Sequence, residues 1–198
     1  MAKHAAATAD SAIEPPKLTK TFPLSRPIAH KGQTWSELTL FEPHLHHLIT
    51  AERRPTTTEF SISLVAQLSG IPEEAVRRLK LADLRAVEKW VTHLRGSTQT
   101  LVSADDETGH AVFALMVPIQ TNSQPIDSVR LREPDLEASV AVESFKKQYE
   151  QTAAMIAALA DLTIPVVLRL ALRDLAAIEV WLAPFVDDTK SREGRGAT

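Results

Sequence analysis

"LKLADLRAVEKW" (residues 79–90) and "LALRDLAAIEVW" (residues 170–181) are two versions of one segment, and their agreement decides how the whole chain is read. Sliding the sequence against itself at an offset of about 91 residues gives roughly 22 identities in about 73 ungapped positions, residues 22–94 against 113–185. "FPLSRPIAHKGQTWSELTLFEP" falls on "FALMVPIQTNSQPIDSVRLREP" at the start of each copy. The chain is a tandem repeat.

Working outward, the two copies occupy residues 21–95 and 112–186. Between them residues 96–111 are polar and rich in Ser, Thr, Gly and Asp, the composition of a linker. The ends, residues 1–20 and 187–198, are polar or Ala/Pro-rich and read as disordered tails.

Each copy opens with two alternating apolar segments separated by turn residues. Phe22, Leu24 and Ile28 precede His30–Gln33, and Trp35, Leu38 and Leu40 follow, which predicts a β-hairpin. Phe113, Leu115, Val117 and Ile119 repeat the first segment, and Ile126, Val129 and Leu131 the second. Pro27 and Pro118 donate no ladder hydrogen bond and belong at an edge or a strand end. After Glu42-Pro43 and Glu133-Pro134 the apolar period changes from two to about 3.6. Phe60, Leu64, Val65 and Leu68 share one helical face, matched by Met155, Ile156, Leu159 and Leu162. Gly70 and Pro72 mark a helix end followed by a proline-led helix start. The second copy has Asp161 and Thr163 there, so its break is expected to be lost in favour of a continuous helix through residues 143–162. The fold class is α+β, predominantly helical: two tandem repeats, each a β-hairpin followed by two to three helices.

Composition narrows the function. The 198 residues carry a formal net charge of −3 with both signs interspersed, so the basic face needed to bind nucleic acid is missing. There is no cysteine, which removes disulfides, thiolate catalysis and Cys-ligated zinc and fits a reducing compartment. The longest apolar run, residues 153–160, is too short to span a bilayer, and the first 20 residues lack the apolar stretch of a signal peptide. A soluble intracellular protein is expected, with no membrane partner.

The order of a hairpin ending in "SELTLFEP" or "SVRLREP", a helix closing in "LSGIP" and a terminal "LADLRAVEKW" resembles the tail assembly chaperones of tailed bacteriophages, in the Mu-like group. The resemblance covers most of the chain, once per copy. It implies a non-enzymatic protein made in the cytoplasm of the infected bacterium and absent from the mature virion. Its partner would be the tape measure protein, kept soluble while the tail tube polymerises around it; contact with the tail tube protein and self-association are further expectations. The family is usually single-copy, so duplication suggests two linked sites for a repetitive helical client. A structural tail component, or a helical adaptor or regulator, is the alternative.

Candidate sites are weighed against the repeat. His44, His46 and His47 suggest a metal site, but they align with Asp135, Glu137 and Ala138, and their helical spacing argues against three ligands on one ion. No metal and no cofactor is expected. The polar residues that do recur are Glu42/Glu133, Arg78/Arg169, Asp83/Asp174 and Glu88/Glu179. No nucleophile–base pair or phosphate loop accompanies them. Asp83 and Asp174 are read as capping the last helix, Arg78 and Arg169 as pairing with a neighbouring carboxylate, and Glu88 and Glu179 as lying on the helix's outer face. Glu42, Pro43, Gly70, Pro72, Asp83, Glu133, Pro134 and Asp174 are thus structural marks. Partner binding is assigned to the last helix of each copy, at Leu84, Val87, Trp90 and Val91 and at Leu175, Ile178, Trp181 and Leu182. These line an apolar stripe that either packs into the core or takes a client helix.

Overall fold

A computed structural model describes residues 18–96, 102–105, 110–121 and 124–193. In the first copy strands β1 (Thr19–His30) and β2 (Gln33–Phe41) form an antiparallel hairpin. Lys31 and Gly32 both take positive φ (46° and 81°), the two-residue turn whose twist matches that of the strands it joins. Pairing runs from Thr19↔Phe41 to Pro23↔Glu37, then resumes at Ile28↔Trp35 after a register shift. Pro27 lies inside that unpaired stretch, where its missing N–H costs nothing.

Four helices follow: α1 (Leu45–Glu52), α2 (Thr57–Ser69), α3 (Glu73–Val76) and α4 (Leu81–Gly96). The Thr56 hydroxyl accepts the Glu59 N–H to start α2, and Gly70, at φ 69°, ends it in the left-handed conformation glycine adopts without strain.

The second copy repeats this plan with one addition. β4 (His110–Ile119) and β5 (Ile126–Leu131) form the hairpin, and a further strand, β3 (Val102–Asp105), pairs with β4 from Val102↔Phe113 to Asp105↔His110. The stretch read as linker therefore contributes a sheet strand, because its short "VSAD" run finds an unpaired edge. β4 and β5 shift register between Ala114 and Ile119, the positions equivalent to Pro23 and Ile28. Then come α5 (Leu136–Glu143), α6 (Gln148–Ala160), α7 (Ile164–Val167) and α8 (Leu172–Glu193). The continuous helix expected from the loss of Gly70 and Pro72 does not form. Non-helical residues separate α5 from α6 and α6 from α7, and Asp161 takes φ 54° in place of glycine. Aspartate is among the non-glycine residues that visit this region most readily. α8 continues to Glu193, into the stretch read as a tail; residues 1–17 and 194–198 lie outside the described residues.

One hydrophobic core runs through both copies. Leu38, Leu40 and Leu68 of the first and Phe113, Leu131, Ile156 and Ile178 of the second are nearly inaccessible to water. The copies meet along α1 on α6 and α4 on α8. A short antiparallel bridge joins them at His44↔Ala171: Leu45 N–H donates to Leu170 O, and Leu172 N–H to Pro43 O. Beside it Glu42, 4% exposed, accepts from Arg173 Nε and Nη2, both at 2.8 Å. Glu52 caps the start of α6, accepting the Gln148 and Tyr149 N–H groups.

Candidate functional site

The apolar stripes of α4 and α8 lie against the hairpins. Leu84 and Val87 are buried, as are Leu175, Ile178 and Leu182, while Trp90, Val91 and Trp181 are half-buried at the margin. Trp90 meets the edge of Phe22 at 5.8 Å and Trp181 that of Phe113 at 5.9 Å, so the same aromatic pair closes both copies.

Asp83 and Asp174 stand in the first turns of their helices, as expected, but their carboxylates are turned outward from them. They reach across to the unpaired stretch of the first strand. Asp83 accepts the Ser25 N–H at 3.1 Å and its hydroxyl at 2.9 Å; Asp174 accepts Met116 N–H at 2.8 Å and Val117 N–H at 3.2 Å. Arg78 and Arg169 donate to backbone rather than to a carboxylate, at the carbonyls of Ala29 and Gln120, just past the irregular stretch of each first strand. Pro27 and Pro118 lie where the ladder lapses, and the Asp83 and Asp174 carboxylates satisfy backbone N–H groups there. The recurring polar residues therefore fasten strand to helix. Burial pushes the Asp174 carboxyl above the usual carboxylate range, against the pull of the Met116 and Val117 amides.

Glu42 and Glu133 part company. Glu42 is locked to Arg173 in the seam, whereas Glu133 is exposed. Glu88 and Glu179 also differ. Glu88 accepts from the Ser61 hydroxyl at 2.8 Å. In the second copy the equivalent residue is Thr152, whose hydroxyl is turned to Gln148 O, and Glu179 accepts instead from Arg95 of the first copy at 2.7 Å. Glu179 is thus drawn inward rather than lying on an outer face, and its Oε1 is buried without a hydrogen-bond partner.

That orphaned oxygen belongs to a residue lining a cleft of about 310 Å³. Val142 of α5, Thr152 and Met155 of α6, and Leu182 and Ala183 of α8 form its mostly apolar walls. Sequence reading placed Leu182 among the partner-binding residues but had no signal for Val142 or Met155. The cleft depends on how three helices diverge.

The three histidines are gathered together, contrary to the helical-spacing argument. His44 precedes α1 in extended conformation, and one ring nitrogen of each residue lies within 4.8 Å of the others. The hydrogen bonds explain the grouping. His47 Nδ1 accepts the His44 N–H at 3.0 Å, and His46 Nδ1 donates to Leu168 O across the seam at 3.1 Å. With its Nδ1 so occupied, neutral His47 carries its proton on Nε2 and has no free lone pair for an ion. Burial first, then the neighbouring His46 and His44 rings, lower its pKa from 6.5 to about 3.

A hairpin fastened to a terminal helix, made twice and joined along a seam, defines a tandem α+β repeat. The chain belongs to the phage tail assembly chaperones: the sequence model of the family described as phage tail assembly chaperone proteins, E, or 41 or 14, matches residues 21–96 and again residues 112–187. No curated protein and no solved structure matched the chain. Among the described residues no helix is long and apolar enough to cross a membrane.

Proposed function

We propose that this protein binds the tape measure protein in the cytoplasm of the infected bacterium, keeps it soluble and promotes tail tube assembly around it, without chemical catalysis and without remaining in the virion. The observation that carries the reading is the apolar cleft between α5, α6 and α8 in a chain that matches the tail assembly chaperone family twice.

A tape measure protein is a long helical rod, and an amphipathic helix laid in a groove is held by a few apolar side chains at helical spacing. Val142, Met155 and Leu182 supply apolar walls for such side chains, and Glu179 Oε1 supplies an acceptor that a client donor would satisfy. Leu182 then acts at the cleft wall, with Trp181 packed on Phe113 at the half-buried margin beside it. Leu84, Val87, Leu175 and Ile178 act from beneath, by fixing α4 and α8 on the hairpins, with Trp90 and Val91 at the equivalent margin of the first copy. Two linked copies raise the effective concentration of the second contact on a repetitive client.

The test is co-expression with the longest coiled-coil protein encoded beside this gene, followed by affinity purification and light scattering. A soluble complex of defined stoichiometry is expected. A client that stays insoluble while this protein elutes alone overturns the reading and favours a structural tail component.

A further inference from the structure

The two copies furnish one place differently. Gln151 and Thr152 line the cleft of the second copy, and their counterparts 91 residues earlier are Phe60 and Ser61. Phe60 packs half-buried against the core, and the Ser61 hydroxyl donates to Glu88 Oε1 at 2.8 Å. In the second copy both donors are spent elsewhere: Gln151 Nε2 donates to Phe145 O at 2.9 Å and the Thr152 hydroxyl to Gln148 O at 3.0 Å. Copy one therefore carries on α2 an aromatic ring and a hydroxyl donor, and copy two offers neither to its cleft. The opposite wall agrees, since Ala51 of α1 is fully buried and its counterpart Val142 only half-buried.

What stands open matches what is missing. The cleft, about 310 Å³, has room for roughly ten water molecules, and Met155 and Leu182 give it apolar walls. Glu179 Oε1 is buried there without a hydrogen-bond partner, while Oε2 accepts from Arg95 at 2.7 Å. Arg95 is in turn seated 5.9 Å from the centre of the Tyr149 ring, so the first copy holds the carboxylate in position before any ligand arrives. Space for a ring and an acceptor lacking a donor thus lie in one cleft.

We infer that the cleft is a socket for one aromatic side chain bearing a hydrogen-bond donor, the phenol of a tyrosine or the indole of a tryptophan, supplied by the client. The ring packs between Met155 and Leu182, and its O–H or N–H donates to Glu179 Oε1 as Ser61 donates to Glu88. Phenylalanine or leucine fills the walls but leaves the oxygen unsatisfied. A lysine satisfies the oxygen but leaves the apolar walls uncovered and brings a charge to a carboxylate already paired with Arg95. The first copy, which supplies its own ring, needs none. The inference rests on the reading that the cleft receives the client, and it names the side chain that enters.

The test is titration of the full chain with p-cresol, skatole and toluene, the side chains of tyrosine, tryptophan and phenylalanine, following the Met155 methyl signal by NMR. All three are expected to shift it, and p-cresol to bind about tenfold tighter than toluene, which lacks only the hydroxyl. Two variants locate the effect, with circular dichroism checking each fold. Gln151→Phe combined with Thr152→Ser gives the second copy the pair found in the first and is expected to abolish binding of every probe. Glu179→Gln is expected to keep probe binding and erase the preference, because Arg95 only donates, so the amide oxygen turns to it and the NH2 faces the cleft. Glu179→Gln leaves the walls unchanged and decides the matter by itself. The absence of any shift, p-cresol binding no tighter than toluene, undiminished binding in the folded double variant, or a preference that survives Glu179→Gln overturns the inference. Client capture separates the two readings: a wild type that captures the client without a donor preference overturns the socket alone, and a donor preference without client capture upholds the socket and overturns the client reading alone.

Discussion

Asp174 holds Met116 as Asp83 holds Ser25: a carboxylate from the first turn of the last helix accepts the backbone N–H of the residue 91 positions apart in the two copies, at 2.8 and 3.1 Å. The relationship survives the change from serine to methionine because its donor is the backbone. It ties the one irregular stretch of each hairpin to the helix beneath it.

The two clamps differ in cost because they differ in burial. Asp174 is fully buried and Asp83 half-buried. Asp174→Ala orphans two amides in a dry site and is expected to lower stability by about 2 to 4 kcal/mol, against about 1 kcal/mol for Asp83→Ala, where water replaces the carboxylate. Urea denaturation of the two variants measures the gap, and equal losses would refute the burial argument.

The seam pair Glu42–Arg173 is buried enough for one-sided removal to matter. Glu42→Ala leaves a guanidinium 17% exposed without its ion-pair partner and is expected to cost about 3 kcal/mol. Replacing both residues by leucine removes the stranded charge, and the double variant is expected within about 1 kcal/mol of the wild type. A double-mutant cycle by thermal denaturation decides whether the pair acts as a unit.

His47 makes the fold acid-sensitive. Its folded-state pKa, about 3, lies below the 6.5 of the exposed ring, so the folded state resists protonation. Its contribution is complete above about pH 6.5 and is lost as pH falls from there toward 3, by no more than about 1 kcal/mol per pH unit once solvent screening is allowed for. Comparing the wild type with His47→Gln across this window isolates the effect: the variant's stability should fall less steeply with acid.

The cleft can be blocked without disturbing the core. Ala183 lines it and is exposed, so Ala183→Arg is expected to change stability by under about 0.5 kcal/mol while abolishing co-purification with the client. Glu179→Gln should retain the Arg95 hydrogen bond in weakened form and separate the role of charge from that of shape. Client capture by Ala183→Arg at the wild-type level would exclude the cleft.

The repeat, the hairpins, the helix end at Gly70 and the last helix of each copy were legible in the residues because each depends on local signals. Alternation marks Leu38 and Leu40, helical spacing marks Leu84 and Val87, and Gly70 marks an end. Asp161 shows the limit of such signals. The helix ends there without a glycine, at a left-handed aspartate that no propensity rule requires. Likewise the partners of Asp83, Arg78 and Glu179 lie 58, 49 and 84 residues away, beyond any local pattern.

Taken alone, the sequence determined that this protein is one hairpin-and-helix unit made twice, because periodicity and turn chemistry are properties of short segments. Tertiary structure decided what each copy's surface is for. Leucine stands at 45 and 136, and again at 81 and 172, so no reading of residue type distinguishes them. The seam covers Leu45 and Leu172 and leaves Leu136 and Leu81 open, because a heterologous contact between two units consumes each kind of surface only once.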